Sequence, residues 1–448
     1  MNPTDIVSAA LTELTEGCTV LHTSHTQNLR WANSAVTTNG DTQTSSLTVI
    51  AFEAVPGGTA VGVATGQVQD SGEAAALAAG ARSSARAADA YPAVAPLVPG
   101  RAGEDFAQPG PAIDESSTDA LLGAVSSFLA RPPGRFGYAE VDRTTTHLAT
   151  TSGTGYRHVQ DSVRIEASAR DGRGSTWWGT NSLAADFGAA ASAGAELLAL
   201  QGERIDLSPG RHRVILSPAA VADLLIYLAW SANGRDAVEG HNVFSRRGGG
   251  TRLGDRLSPR HLDLYADPLH PGLQTATRVV ATADSSTESV FDNGVELRRT
   301  HLIRDGHLSA LRASRPTADR FGLEPVHMAD NLILTDADGH GELADLVART
   351  DEAILINCLW YIREVDPQNL LLTGLTRDGV YAVRDGRLTG AGPNFRFNVS
   401  VPDILGRIMD ATATSPCLPR EWADWFPRAA MPALLIDGFH LSSPSEAL

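Results

Sequence analysis

The chain contains no lysine: all 36 of its basic side chains are arginine. That absence excludes whole reaction classes. No protein Schiff base can form, so pyridoxal-phosphate chemistry and lysine-dependent aldol chemistry are out. No Walker A loop and no kinase lysine can exist. Every cationic side chain is instead a planar fork that stays charged. Cysteine is scarce as well. Cys18, Cys358 and Cys417 lie far apart and form no CxxC, which points away from a disulfide framework and from a cysteine-rich zinc site. No uninterrupted apolar run approaches the length of a membrane span. The opening residues, MNPTDIVSAALTELTEG, lack the basic n-region of a signal peptide. The expectation is a cytoplasmic, bacterial-type protein with reduced thiols. A formal net charge of −16 opposes general affinity for nucleic acid or for anionic membranes, so neither is expected as a partner.

What is present describes an ordinary globular chain. Of its 448 residues 42% are hydrophobic and 20% charged. At roughly 150 residues per domain this suggests two or three domains. Helical spacing opens the chain, with Thr4 and Asp5 as caps. Four β-rich stretches follow at 18–25, 28–36, 45–53 and 59–68. Asp70-Ser71-Gly72-Glu73 resembles a capping box before an alanine-rich helix over 73–90. A proline-rich linker spans 92–117. A helix over 117–130, ending at Arg131-Pro132-Pro133, leads into strands at 136–153, 156–171 and 175–182 and a helix over 186–202. Ser217-Pro218 marks another helix start. Short strands are expected at regular spacing over 261–390. Tight turns are expected at Asp292-Asn293-Gly294, Arg304-Asp305-Gly306, Arg377-Asp378-Gly379 and Arg384-Asp385-Gly386. Helices are expected over 341–350 and 400–411. The fold class is therefore α+β. An N-terminal α/β half with antiparallel sheets and flanking helices comprises 1–95 and a linker with a central α/β unit, 96–210. A β-rich C-terminal domain covers 211–448.

A search for chemistry returns mostly negatives. None of the 13 histidines is followed by glutamate, so HExxH is absent. No GxSxG elbow exists. His241, His261 and His270 share a loop-rich region, but no partner can be named to orient them as metal ligands. Cys358 sits in an apolar run and reads as a buried small hydrophobe. Asp336-Ala337-Asp338-Gly339 resembles the start of a calcium loop, yet the twelfth position falls on Val347 and the bidentate glutamate is missing. The pairs Trp177-Trp178 and Trp360-Tyr361 read as core or interface. One basic patch stands out in this acidic chain: Arg246, Arg247, Arg252, Arg256 and Arg260 around Gly248-Gly249-Gly250. Such forks can capture carboxylates or phosphates, or meet an acidic partner face.

Several segments in order resemble the family of TldD and TldE (PmbA) proteins, bacterial partners in a zinc-dependent peptidase complex. They include RVILSPAAVADLLIYLA, HNVFSRRGGGTRLGDRLSPRHLDLYADP, FDNGVELRRTHLIRDGHLSALRASRPTADRFG and the near-terminal MPALLIDGF. The likeness spans essentially the whole chain and is most specific in its C-terminal half. In catalytic members an HExxxH helix lies shortly before the loop that corresponds to Asn242-Val243-Phe244-Ser245. Counting back from that loop, the histidine positions fall on Leu225 and Trp230 and the glutamate position on Ile226. Counting forward from Ser217-Pro218 shifts the frame to Ile226, Tyr227 and Ser231. Neither frame holds a histidine or a glutamate. The third ligand of catalytic members is a cysteine, and Cys417 falls near its place.

The resemblance therefore implies a TldE-like subunit, a metallopeptidase-family protein that is not catalytic alone and binds no cofactor itself. Zinc is expected in a TldD-like HExxxH subunit that pairs with it as a heterodimer and acts on unfolded or leader peptides. Arg246, Arg247, Arg252 and Arg256 are expected at the peptide or partner contact. Two alternatives stay open. One is a stand-alone peptide-binding or scaffold protein without a protease partner. The other is an active hydrolase built on Cys417 and a C-terminal histidine.

Overall fold

A computed structural model describes residues 2–130 and 134–445. The expected stop at Arg131-Pro132-Pro133 lies outside the described residues. Helix α1 (Pro3–Thr12) is capped by Asn2, ahead of the expected Thr4 and Asp5; its side-chain oxygen accepts from the Thr4 N–H at 3.2 Å. The four expected strands are three: β1 (Glu16–Ala32), β2 (Ala35–Val55) and β3 (Gly58–Gln67). β1 runs straight through residues 26–27. The chain reverses instead at Asn33 and Ser34, with φ of 50° and 62°. Asn39-Gly40-Asp41 stays in β2, paired with Gln27–Leu29 of β1. Turn-forming residues are overridden here because a long partner strand satisfies their backbone.

Asp70 caps α2 (Ser71–Ala87), accepting from the Gly72 and Glu73 N–H groups, and Glu73 accepts from the Gln69 N–H at 2.6 Å. Next come α3 (Glu115–Leu129), β4 (Arg135–Thr150), β5 (Gly155–Asp171), β6 (Gly174–Thr180) and α4 (Phe187–Leu200). All six strands form one antiparallel sheet in the order β3-β2-β1-β4-β5-β6. The β1–β4 ladder, from Cys18↔Thr150 to Trp31↔Gly137, makes the sheet continuous across the linker. Gly137 is required there, since a Cβ would lie 2.0 Å from the Trp31 ring. Helices α1 and α2 cover Leu21, Leu47 and Val49 at one end of the sheet. Helices α3 and α4 cover Trp31, Ala139 and Ile165 at the other.

The opposite sheet face is polar in its middle. His22 bonds Thr146 at 2.9 Å, Ser24 bonds Thr144 at 2.6 Å, and the Thr26 hydroxyl donates to Asp142 at 2.6 Å. Part of this face meets the C-terminal half: the Gln160 amide donates to the Gln274 carbonyl, and Arg428 donates to the Ser162 hydroxyl.

The C-terminal half runs β7 (Gly210–Leu216), α5 (Pro218–Ser231), α6 (Gly234–Glu239), β8 (Leu262–Ala266), β9 (Thr300–Arg304), β10 (His307–Leu308), α7 (Arg315–Phe321), β11 (Leu332–Asp336) and α8 (Leu343–Ala348). It continues with β12 (Glu352–Asp366), β13 (Leu371–Arg384), β14 (Arg387–Ala391), β15 (Asn394–Ser400), α9 (Val401–Leu405), β16 (Ile408–Ala411), β17 (Ser415–Cys417), β18 (Ala429–Met431) and β19 (Leu434–Ser445). One sheet has the order β10-β9-β8-β11-β18-β17. In the other, β12 pairs with both β7 and β13, so β12, β7, β19, β15 and β13 close on themselves as a barrel. The architecture is α+β with a β-rich C-terminal half, as expected.

Details differ from the sequence reading. Asp305-Gly306 and Asp385-Gly386 do form tight hairpin turns, with positive φ at all four residues. Arg377-Asp378-Gly379 instead lies within β13 opposite an irregularity in β12. Asp292-Asn293-Gly294 closes a single helical turn. There the buried Asn293 amide donates to the Ala281 and Val290 carbonyls, so side-chain bonds replace a strand ladder. Residues 267–299 contain no strand; there 277–279 and 294–297 pair only through a short antiparallel bridge at Arg278 and Glu296. The expected helix over 400–411 is cut to α9, and 408–411 pairs with β19.

Candidate functional site

Helix α5 begins where the sequence places it. Ser217 accepts from the Ala220 N–H at 3.2 Å, and Pro218 occupies the first turn. The helix is apolar almost all round because it packs against the barrel and against β17 and β18. Leu225 and Ile226 are 3% and 1% exposed and belong to the main core. Trp230 is 39% exposed, with its ring edge-on to Trp422 at 4.8 Å. Tyr227 completes the aromatic group, 5.4 Å from Trp422, and its hydroxyl donates to the Ile362 carbonyl at 2.8 Å. Cys417, at the end of β17, is buried in the same core. Burial pushes its thiol well above the ordinary range, and nearby Asp223 pushes it further.

These residues do not fit a zinc ion. Three apolar side chains offer no ligand atom, and a thiol held protonated is a poor one. Among the described residues, the only three candidate ligands close enough to share an ion are Asp236, Glu239 and His241. That group is drawn together by ordinary pairs: Arg235 with Glu239 at 3.1 Å, and Asn233 with Asp236 at 2.8 Å. The structure does not bring His241, His261 and His270 together. His261 pairs with Asp305, and the His270 ring lies 6.2 Å from that of Tyr265. Cys358 is fully buried, with its thiol donating to the Arg377 carbonyl at 3.0 Å.

What the sequence does not reveal is a buried charge junction beside α5. Asp223 is fully buried and accepts from the Arg420 and Glu421 N–H groups at 3.1 and 3.0 Å. Burial raises its carboxyl well above the usual range, against the pull of those two bonds. The Arg420 guanidinium lies over Trp360 at 4.6 Å and over Trp177 at 5.2 Å. It reaches Glu166 at 3.2 Å and Asp378 at 3.6 Å. Glu166 also accepts from the Trp177 indole at 3.0 Å, and Asp378 from the Ser175 hydroxyl at 2.6 Å. One arginine thus ties the N-terminal sheet (β5, β6) to the barrel strands β12 and β13 and to α5. A signal existed: Asp223 is a lone acid in the apolar run AAVADLLIYLAW.

Glu421 supports a second feature. It accepts from the Tyr361 and Ile362 N–H groups at 2.8 and 3.2 Å. This holds Tyr361 at φ 54° in a bulge of β12, with the residue 57% exposed.

The arginine loop is partly spent on itself. Arg246 and Arg252 share Asp255, and Arg252 also donates to the Val243 carbonyl. Arg256 donates to the Ser258 and Pro259 carbonyls, and Arg260 pairs with the buried Asp336. Arg247 is exposed and makes no ion pair or hydrogen bond among the described residues.

A family model described as the PmbA/TldA metallopeptidase C-terminal domain matches residues 209–443. The chain belongs to the PmbA/TldA metallopeptidase family. That match begins at β7, so α5 with its three apolar positions lies inside the PmbA/TldA domain. TldE from Thermococcus kodakarensis has the same fold, with a TM-score of 0.77 at 14% identity over 98% of this chain and 99% of that one. A candidate modulator of DNA gyrase from Bacteroides thetaiotaomicron gives 0.74 at 13% identity, covering 98% and 97%. One from Thermotoga maritima gives 0.71 at 14%, covering 95% of each. No curated protein sequence matches the chain significantly. Identities this low show a shared fold alone. Among the described residues no helix is long and apolar enough to cross a membrane.

Proposed function

We propose that this PmbA/TldA-family chain is the non-catalytic, TldE-like subunit of a zinc-dependent metallopeptidase complex. The observation that carries this reading is on α5. Leu225 and Ile226, at positions the family resemblance assigns to a histidine and the glutamate, are sealed in the core, and Trp230 is packed on Trp422. Apolar side chains at those positions offer neither a metal ligand nor a base for a metal-bound water. The chemistry then belongs to a TldD-like HExxxH subunit in a heterodimer, with zinc in that partner. The substrates in this reading are unfolded or leader peptides. Such chains are held through their backbone, and exposed strand edges can supply that hold. The domain from 211 to 448 carries the contact with the partner. Arg246, Arg247, Arg252 and Arg256 lie at the partner interface or the chamber mouth, and Arg247 has the guanidinium that is free to engage.

The test is co-expression with an HExxxH relative, followed by size exclusion and a peptide-cleavage assay. A co-eluting pair that cleaves an unfolded peptide, with zinc found only when the partner is present, is the expected result. A stable chain that never pairs supports a stand-alone peptide-binding or scaffold role. Stoichiometric zinc in the chain purified alone overturns the non-catalytic assignment. Changing Arg246, Arg247 and Arg252 together to Ala is expected to weaken assembly or turnover. Unchanged assembly and turnover would place the loop elsewhere.

A further inference from the structure

A cavity of about 350 Å³ in the C-terminal half is lined by Arg278, Thr287, Glu288, Arg312, His327 and Asp330 among others. Two of its walls carry buried nitrogens without partners. The Arg312 side chain is 15% exposed and its Nε has no acceptor among the described residues. The His327 side chain is 10% exposed and its Nε2 has no hydrogen-bond partner. That Nε2 lies 3.6 Å from the Asp292 carboxylate, beyond hydrogen-bond reach, and Asp292 already accepts from the Arg315 N–H at 3.1 Å and from its Nε at 2.7 Å. A buried N–H left without an acceptor has lost its water without a replacement, so a ligand oxygen placed there is favoured.

The charges favour an anion. Each wall carboxylate already has its own arginine: Glu288 on Arg312 at 3.2 Å, and Asp330 on Arg428. Arg278 is left over. It donates to the Gly294 carbonyl at 2.8 Å, and no carboxylate among the described residues pairs with it. Burial lowers the His327 pKa, so its neutral ring can carry its proton on Nε2. We propose that Arg278, Arg312 and His327 form a binding site for a single carboxylate group, carried by a peptide C-terminus or by an acidic side chain. A carboxylate has the acceptor oxygens that the Arg312 Nε–H and the His327 ring lack, and its charge answers Arg278. The cavity holds a few residues of peptide at most. The assignment concerns this chain alone and does not depend on a catalytic partner.

Isothermal titration on the full chain tests it with three probes: acetyl-Ala-Ala-Ala with a free carboxylate, the same peptide as its amide, and acetyl-Ala-Glu-Ala amide. The free acid, the glutamate peptide, or both are expected to bind at least about tenfold more tightly than the plain amide. Which of the two acids binds identifies the source of the carboxylate. Arg278→Gln, whose fold is checked by thermal melting because it also loses the bond to the Gly294 carbonyl, is expected to weaken that binding about fivefold or more. Arg312→Gln is expected to abolish it, and its fold is checked by thermal melting. Equal binding of acids and amide, or no binding at all, overturns the proposal. So does an Arg278→Gln variant that binds as the parent does.

Discussion

Arg420 shows what a chain without lysine can do with one side chain. Its flat cation lies against Trp177 and Trp360 and still reaches Glu166 and Asp378. A point-charge ammonium cannot stack and fork together. Arg420→Ala strands buried acid and is expected to cost about 3 kcal/mol, read by denaturant melts. Arg420→Lys is expected to recover less than half of that loss. The same residue scale tests the sealed α5 positions. Ile226→Glu puts an unpaired carboxylate at a site 1% exposed, with an expected loss of about 3 kcal/mol or more. A loss under about 1 kcal/mol would mean that the position has room and water, contrary to core packing. The apolar identity of Leu225, Ile226 and Trp230 was legible in the sequence. The depth of Leu225 and Ile226 and the partners of Asp223 were not: the first is set by the barrel strands and by β17 and β18, the second by Arg420 and Glu421 nearly two hundred residues away.

Among the elements, α5 was the most legible, since its start signal and its apolar run are local. Ser217→Ala removes the cap and is expected to cost about 1 kcal/mol. The hairpin turns divide the same way. Asp305-Gly306 works as a turn because short strands flank it and Gly306 can adopt φ 73°. A Cβ there would sit 2.5 Å from the Ser258 carbonyl oxygen and 2.7 Å from that of Arg260. Gly306→Ala is expected to destabilise by about 1–3 kcal/mol in thermal melts. Asp378-Gly379 has the same two letters but sits in a long ladder, where Asp378 is held by Ser175 and Arg420. The β1–β2 hairpin failed in the other direction. Its true turn, Asn33-Ser34, is a weaker signal than the Asn39-Gly40 that stays extended, and strand length overruled turn chemistry.

For the whole molecule, pH is the simplest probe. Burial holds His22, His147, His158 and His327 below their ordinary pKa. As pH falls through about 6.5 the unfolded chain takes up protons that the folded chain refuses, so stability drops progressively below that point. His147 is fully buried and bonds the Gln108 carbonyl at 3.0 Å, pinning the proline-rich wrap to β4. His147→Gln is expected to flatten the fall in melting temperature between pH 7 and 5. An unchanged slope would assign the acid sensitivity to the other histidines. Exposed His261 opposes the trend, because its bond with Asp305 raises its pKa.

Composition alone excluded lysine chemistry, and residue order alone carried the family likeness and the α+β class. Those properties are local or additive, so they survive without coordinates. The joining of the N-terminal strands into one sheet, the closing of the barrel through the pairing of β7 with β12 and β19, and the junction around Arg420 were decided only by tertiary structure. Each depends on pairing between residues far apart in the chain, which no window of sequence contains. The same holds for the carboxylate pocket: Arg278, Arg312 and His327 have no shared motif, and only the fold gives them a common wall.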